Sequence, residues 1–379
     1  MRILYLIDSL SVGGAERLLI DLVAHQQGRG AVCEVGYFTP GPLEADLGRL
    51  AVRATRLSRA GLRDPRTLGR AIALIRRFRP DVVHTHLTKS DLVGQVATRL
   101  AGVPVRALTH HNVNPWRSDR VRSLAYRLAT AGATHRIAVS DEVARHAEET
   151  GGSPRGSVRV VRNGVDMRRF DPDAVSPLSL GMFGVPPGAT VFAVVGRLVE
   201  QKDHATFLRA VGMMAADGPS PHFLVVGDGP LRARLEDAAR IGPAAGRVSF
   251  TGLVIDAPAL LAAIDVLVFS SAWEGLPVVL IEAMAMGLPV VSTDVGAVSG
   301  VLAHEETGLL VPAGDAAALA AAMGRLAADR GLRARMGRAG RAAALGRHSN
   351  ATMLAEIDRV YRGRTGGGTR PRQPSDLPA

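Results

Sequence analysis

At 379 residues the chain is long enough for two domains of ordinary size, and with 47% hydrophobic and 21% charged residues it is too apolar for a disordered chain. One cysteine, Cys33, excludes an internal disulfide framework and fits a reducing cytoplasm. The formal net charge of +11 is carried by residues 1–172, which hold 27 Lys and Arg against 16 Asp and Glu, whereas residues 173–379 hold 19 of each. Aromatic residues, at 4%, are too sparse for a nucleic-acid surface. The basic half therefore reads either as solvated helix faces or as a surface for an anionic membrane or acceptor. The apolar run before Asp8 is too short for a signal-peptide core, and no uncharged run is long enough to cross a bilayer.

Short runs rich in Val, Ile and Leu alternate with longer helical patterns, which predicts parallel α/β sheets covered on both faces. In the first half the strand candidates are RILYLID (2–8), VCEVGYF (32–38), DVVHTH (81–86), VPVRALTH (103–110), HRIAVS (135–140) and VRVVRNG (158–164). In the second they are TVFAVVGRL (190–198), HFLVVGDG (222–229), RVSFTGL (247–253), VLVFSS (266–271) and PVVSTD (289–294). Between the two series, residues 166–190 are rich in Pro and Gly and lack a period, as a linker does. Ala- and Arg-rich helices follow GLLVPAGD (308–315) as far as about residue 363, and the tail TGGGTRPRQPSDLPA reads as disordered. The expected fold is two doubly wound Rossmann-like domains facing across a cleft, residues 1–172 and 173–345. A C-terminal helix, 346–363, follows, and then the tail, 364–379. In such sheets ligands bind outside the carboxyl ends of the strands, so chemistry is sought just after each strand.

After the first strand, SLSVGGAERL puts Gly13 and Gly14 where a helix begins, and bare amides at a helix start suit an anionic oxygen. The spacing is not the dinucleotide fingerprint. His84 and His86 share one side of a strand, without a third ligand at a metal spacing, and read as structural or cleft-lining. His110 and His111 end another strand, where a polar His-His-Asn stretch either lines the cleft or makes a turn. Arg197 and Lys202 bracket a short loop after a strand and suit a diphosphate; the alternative is two solvated charges. Gly252, Leu253 and Val254 offer backbone groups for a base edge.

The segment SAWEGLPVVLIEAMAMGLPVVSTDVG (271–296) is the most informative, because it keeps Glu274 and Glu282 in an otherwise apolar stretch. Glu274 heads a loop with Gly275, Leu276 and Pro277, and a helix follows. Glu282 is expected two turns into that helix, placed to accept two hydroxyls of a ribose. The free amides around Val278 and Val279 suit a phosphate. A polyhydroxylated ligand would complete both carboxylates. DPD (171–173) mimics an Asp-x-Asp metal motif but falls in the linker around a proline, so it reads as coincidence.

With VGRLVEQKD, GDGP, SAWEGLPVVLIEAMA, GLPVVSTDVG and GLLVP, the second half resembles the family 4 glycosyltransferases of GT-B fold. GGAER, DVVHTH, THHN, VSDEV and RNGVD extend the resemblance over about residues 3 to 345. It implies a retaining, metal-independent enzyme without cofactor, whose second domain holds a nucleotide sugar and whose first receives the acceptor. It implies that Arg197 and Lys202 bind the donor diphosphate, Glu282 the ribose and Glu274 the donor sugar near the reacting carbon. Gly14 would approach the phosphates from the first domain. The Thr-x-His pattern matches the family's active-site histidine to His111, with His110 beside it as the alternative. His86, His110 and Asn163 of RNGVD are candidate cleft-lining residues. The chain is expected to cross back to the first domain near 346–363.

The expected reaction moves a sugar from a nucleotide diphosphate, UDP favoured, to an acceptor hydroxyl by front-face substitution, with Arg197, Lys202 and helix amides stabilising the leaving diphosphate. The basic first domain favours an anionic, lipid-linked or polysaccharide acceptor at the inner face of the cytoplasmic membrane, as in exopolysaccharide assembly. The rivals are a non-hydrolysing nucleotide-sugar epimerase of the same fold and a non-catalytic nucleotide-sugar-binding protein.

Overall fold

The computed structural model describes residues 1–59, 61, 64–113, 119–150, 152–214 and 221–363; the tail read as disordered lies outside the described residues. The first half forms β1 (Arg2–Ser9), α1 (Gly14–Gly28), β2 (Val32–Thr39), α2 (Glu44–Arg49), β3 (Arg53–Arg56), α3 (Thr67–Phe78), β4 (Val82–His86), α4 (Thr88–Leu100), β5 (Val105–His110), α5 (Arg120–Thr130), β6 (His135–Ala138), α6 (Asp141–Glu149) and β7 (Val158–Val160). The second half forms β8 (Val191–Val195), α7 (His204–Met213), β9 (His222–Val226), α8 (Arg232–Ile241), β10 (Val248–Gly252), α9 (Ala257–Ala263), β11 (Val266–Phe269), α10 (Val278–Ala285), β12 (Val290–Thr293), β13 (Gly308–Val311), α11 (Ala316–Ala328), α12 (Arg330–Arg347) and α13 (Asn350–Arg362).

These strands make a seven-stranded sheet in the order β3-β2-β1-β4-β5-β6-β7 and a six-stranded sheet in the order β10-β9-β8-β11-β12-β13, parallel at each pairing. The continuous apolar runs have the cause the sequence implies. In β1, Ile3, Tyr5 and Ile7 enter one core layer while Leu4 and Leu6 enter the layer on the opposite face. In β8, Phe192 and Val194 lie in one layer and Val191 and Ala193 in the other. Both sheets are the doubly wound kind, with helices on either side.

Two strands were not expected. β3, RATR, is a polar edge strand with little burial, and β13, GLLV, is short and ends the second sheet. β3 lacks an apolar run, and β13 opens on a glycine.

α13 belongs to the first sheet although it closes the chain. Its Met353, Leu354, Ile357, Val360 and Tyr361 pack with Ile3, Tyr5 and Ile7 of β1. The crossing is pinned where Val165 N–H donates to the His348 carbonyl at 2.9 Å and Asn350 N–H donates to the Val165 carbonyl at 3.0 Å. A Cβ at Gly164 would lie 2.6 Å from the Ser349 oxygen, so this approach needs a glycine.

Candidate active site

The carboxyl ends of both sheets open onto one cleft of about 600 Å³. Its first-domain wall includes Asp8, Gly13, Gly14, Glu16, His110, His111 and Asn163, and its second-domain wall Arg197, Lys202, Leu253, Val254, Glu274, Val278, Val279 and Glu282. Residues far apart in sequence thus converge because each follows a strand.

Two helix starts meet in this cleft. α1 begins after Gly13 and α10 after Pro277, and neither cap residue has a side-chain hydrogen bond to its helix. By contrast α7, α9, α11 and α12 each have an Asp cap accepting from their first turn. At α1 the Glu16 amide already meets its own carboxylate, so the start of α10 is the one of the two that offers amides to an anion. The two approach closely: a Cβ on Gly14 would lie 3.0 Å from Val278 Cγ2. Gly13 makes room for Glu16, whose Oε2 would lie 2.4 Å from a Cβ there.

Glu274 is 4% exposed and fully partnered. Its Oε1 accepts from Lys202 Nζ in a close ion pair and from Ser271 Oγ at 2.7 Å, and Oε2 accepts from Gln201 Nε2 at 3.4 Å. Arg197 is exposed at the same wall. Its charge reaches Glu16 on the opposite domain, where burial pushes the carboxyl up and Ser9 Oγ donates to it at 2.7 Å.

Glu282 lies one turn into α10 and not two, because the helix starts at Val278, four residues before it. It is buried, and burial pushes its carboxyl up to about 7; Arg169 and Arg17 oppose the shift and Asp21 adds to it. Asp21 is itself pushed up to about 6 by burial, against Arg169 and Arg17. This pocket of two carboxyls and two guanidinium groups joins α1, α10 and the connection between the domains.

The histidines separate into distinct roles. His84 does not reach the cleft: its Nδ1 pairs with Tyr361 Oη at 2.6 Å and its Nε2 with Thr109 Oγ1 at 2.7 Å. His86, expected as cleft-lining, is also absent from the wall; it sits behind His111, with Nδ1 3.0 Å from His111 Nε2. Its Nε2 is buried without a partner. His110 and His111 both line the cleft, and His110 Nε2 pairs with Ser153 Oγ at 3.0 Å. Burial lowers His111 to about 4 and His84 to about 3, and holds His86 well below its ordinary value, so this row is neutral near pH 7.

Gly252 and Gly275 shape the cleft without lining it. Gly275 N–H donates to Asn112 Oδ1 at 3.2 Å, and a Cβ there would lie 2.1 Å from the His111 oxygen. Asn163 Nδ2 donates to the Leu276 carbonyl at 3.3 Å, while its Oδ1 is buried without a partner. Asp171 of DPD pairs with Arg341 at 2.8 Å, away from the cleft wall. The sequence reading missed Glu16, Asp21, Arg17 and Arg169, and took Asn112 only as part of the His-His-Asn stretch. Glu16 and Arg17 lie inside the quoted GGAER and Asn112 inside THHN, but nothing local signals Arg169 or Asp21.

Two parallel-sheet domains with a shared cleft at their carboxyl edges define the GT-B class. Residues 12–169 match the family described as Glycosyltransferase Family 4, and residues 189–329 the one described as Glycosyl transferases group 1. The chain is 32% identical over 356 residues to the 2-deoxystreptamine N-acetyl-D-glucosaminyltransferase of Streptomyces fradiae, covering 84% of this chain and 83% of that one. It is 29% identical over 280 residues to the UDP-Gal:alpha-D-GlcNAc-diphosphoundecaprenol alpha-1,3-galactosyltransferase of Escherichia coli, covering 71% and 72%. Among solved structures, HepE of Anabaena in complex with UDP and glucose superposes with a TM-score of 0.83 at 23% identity, covering 95% of this chain and 98% of that one. The chain belongs to the family 4, group 1 glycosyltransferases of GT-B fold.

Proposed function

We propose that this glycosyltransferase is retaining and metal-independent, and moves a sugar from a UDP-sugar to a hydroxyl of a lipid-linked or polysaccharide precursor. The observation that carries the reading is the convergence of Arg197, Lys202, the uncapped start of α10 and the buried Glu282 on one cleft. The leaving diphosphate needs countercharge, and two cations with a row of amides supply it at that wall. Lys202 neutralises Glu274; a diphosphate would share that ammonium and turn Glu274 toward sugar hydroxyls. Glu282 then takes the ribose diol. His111, neutral and held by His86, offers a hydrogen bond to the sugar or acceptor without adding charge. Front-face substitution fits Glu274 as a positioning carboxylate, which Ser271 and Gln201 continue to hold when Lys202 turns to the diphosphate.

The choice of UDP and of a lipid diphosphate acceptor is supported by what the Escherichia coli relative acts on and by the UDP bound in HepE. The site of reaction is then the cytoplasmic face of the membrane, and no helix of the described residues is long and apolar enough to span it. A second reading has its own support, because the relative from Streptomyces fradiae acts on 2-deoxystreptamine. Asp8 and Glu16 on the acceptor wall suit an ammonium of such an aminocyclitol.

The test is thermal stabilisation of the wild type and of Glu282→Ala by UDP-, GDP- and ADP-sugars, followed by transfer to a polyprenyl-diphosphate sugar or to 2-deoxystreptamine. Saturation at ~100 times the dissociation constant adds about 2.7 kcal/mol. A shift with the UDP series alone, lost in Glu282→Ala, and a product of retained anomeric configuration by NMR, are expected. Sugar conversion with no acceptor present indicates the epimerase. Absence of any shift indicates that the carboxylates serve something other than a nucleotide sugar.

A further inference from the structure

α5 is amphipathic in the reverse sense. Its buried positions, one per turn, are Ser123, Tyr126 and Thr130, at 6%, 1% and 1% exposure. Two of them hold the helix by polar contacts: Ser123 Oγ donates to the Thr150 carbonyl and Tyr126 Oη to Asp91 Oδ2 at 2.5 Å, while Thr130 Oγ1 donates within the helix to the Tyr126 carbonyl at 2.9 Å. On the opposite side Val121, Leu124 and Leu128 are 78%, 48% and 65% exposed. A surface helix ordinarily turns its apolar stripe to the core, as α3 does with Ala71, Leu74, Ile75 and Phe78. Exposed Arg122 and Arg127 border the outward stripe, one on each side at helical spacing.

We propose that α5 is an interfacial anchor. Val121, Leu124 and Leu128 insert at the headgroup boundary of an anionic bilayer, and Arg122 and Arg127 meet its phosphates. The proposal rests on the lipid-linked reading of the acceptor and names the surface that brings the enzyme to it. Three arguments select a bilayer as the occupant. The first 172 residues carry 27 basic against 16 acidic residues, so this domain complements an anionic leaflet. The stripe is confined to one helix of 11 residues, and a stable homodimer needs roughly 1,200 Å² or more of buried surface. A second copy would also face Arg122 and Arg127 with the same charges. The position is apt, because α5 follows β5, whose carboxyl end carries His110 and His111 into the cleft.

The test is flotation of the full chain with vesicles of phosphatidylcholine alone or mixed with phosphatidylglycerol, with no donor or acceptor present. The wild type is expected to float with the anionic vesicles and to be released as salt rises. Leu124→Ser/Leu128→Ser is expected to bind at least about tenfold more weakly. It should keep the wild-type melting temperature and UDP-sugar shift, since both side chains are exposed. Arg122→Ser/Arg127→Ser is expected to lose the preference for anionic lipid. A wild type that stays in solution, or a leucine variant that floats equally well, overturns the proposal. So does light scattering that shows a wild-type dimer made monomeric by the leucine variant. Because the assay needs no sugar transfer, its failure leaves the donor reading standing. Failure of transfer to a lipid acceptor likewise leaves vesicle binding to be judged by itself.

Discussion

Glu282 shows at the scale of one residue how burial becomes a binding property. Its carboxyl is pushed up to about 7 by burial, so before a donor binds it is largely protonated at pH 6. A raised carboxyl contributes stability that is present below its ordinary value and lost as pH rises through about 7. A ribose diol donates hydrogen bonds and favours the ionised form, so donor binding releases a proton. Affinity for a UDP-sugar should therefore rise about tenfold per pH unit up to about pH 7 and then level. Titration calorimetry in two buffers checks this, and Glu282→Gln should flatten the profile; a flat wild-type profile contradicts it. His86 is the second case, because it meets His111 without touching the cleft. His86→Ala should lower kcat roughly 10- to 100-fold with KM for the donor little changed, as a misplaced group does. Equal changes in both constants would mean that His86 serves stability and not the orientation of His111.

At the scale of elements, the two domains touch through loops and helix starts that only small residues permit. Gly275 sits against the His111 and Asn112 backbone, and Gly14 against Val278. At Gly275 the obstacle is main chain, which has no rotamer to move. Gly275→Ala should force the loops apart, weaken donor binding and cost about 1–3 kcal/mol of stability. Chemical denaturation and donor titration measure both, and an unchanged donor affinity would show that the loop contact does not form the site. The strand-end motifs of the second domain were legible in the sequence because a post-strand segment is local: Arg197 and Lys202 follow β8, and Glu274 and Glu282 follow β11. β3 was not legible, since RATR is polar and only partly buried, and β13 was not, since its four residues open on a glycine and run into the turn before α11.

At the scale of the whole molecule, α13 makes the first domain dependent on the end of the chain. Met353, Leu354, Ile357, Val360 and Tyr361 are each less than 9% exposed against the first sheet. Each large apolar side chain so buried is worth about 1.5–3 kcal/mol, and a domain has only about 5–15 kcal/mol in all. Tyr361 also reaches His84, which ties this helix to the layer behind His86 and His111. A chain ending after His348 should expose that face, and limited proteolysis should then cut within residues 1–165 while the second sheet stays protected. Wild-type protease resistance of the first sheet would show that α13 only decorates it.

What the sequence determined by itself is what short-range physics encodes. Apolar runs covered on both faces gave the parallel sheets, and glycines and charges just beyond those runs marked the ligand edge. Two carboxylates in an apolar segment announced a ligand that completes them. What only the tertiary structure decided is which of these groups meet. Burial set Glu282 beside Asp21, Arg17 and Arg169, drawn from three separate parts of the chain. The packing of β4 against β5 put His86 behind His111 and not in the cleft. The outward stripe of α5 became visible only once Ser123, Tyr126 and Thr130 were seen to face the core, because periodicity finds a stripe but not the side on which the protein lies.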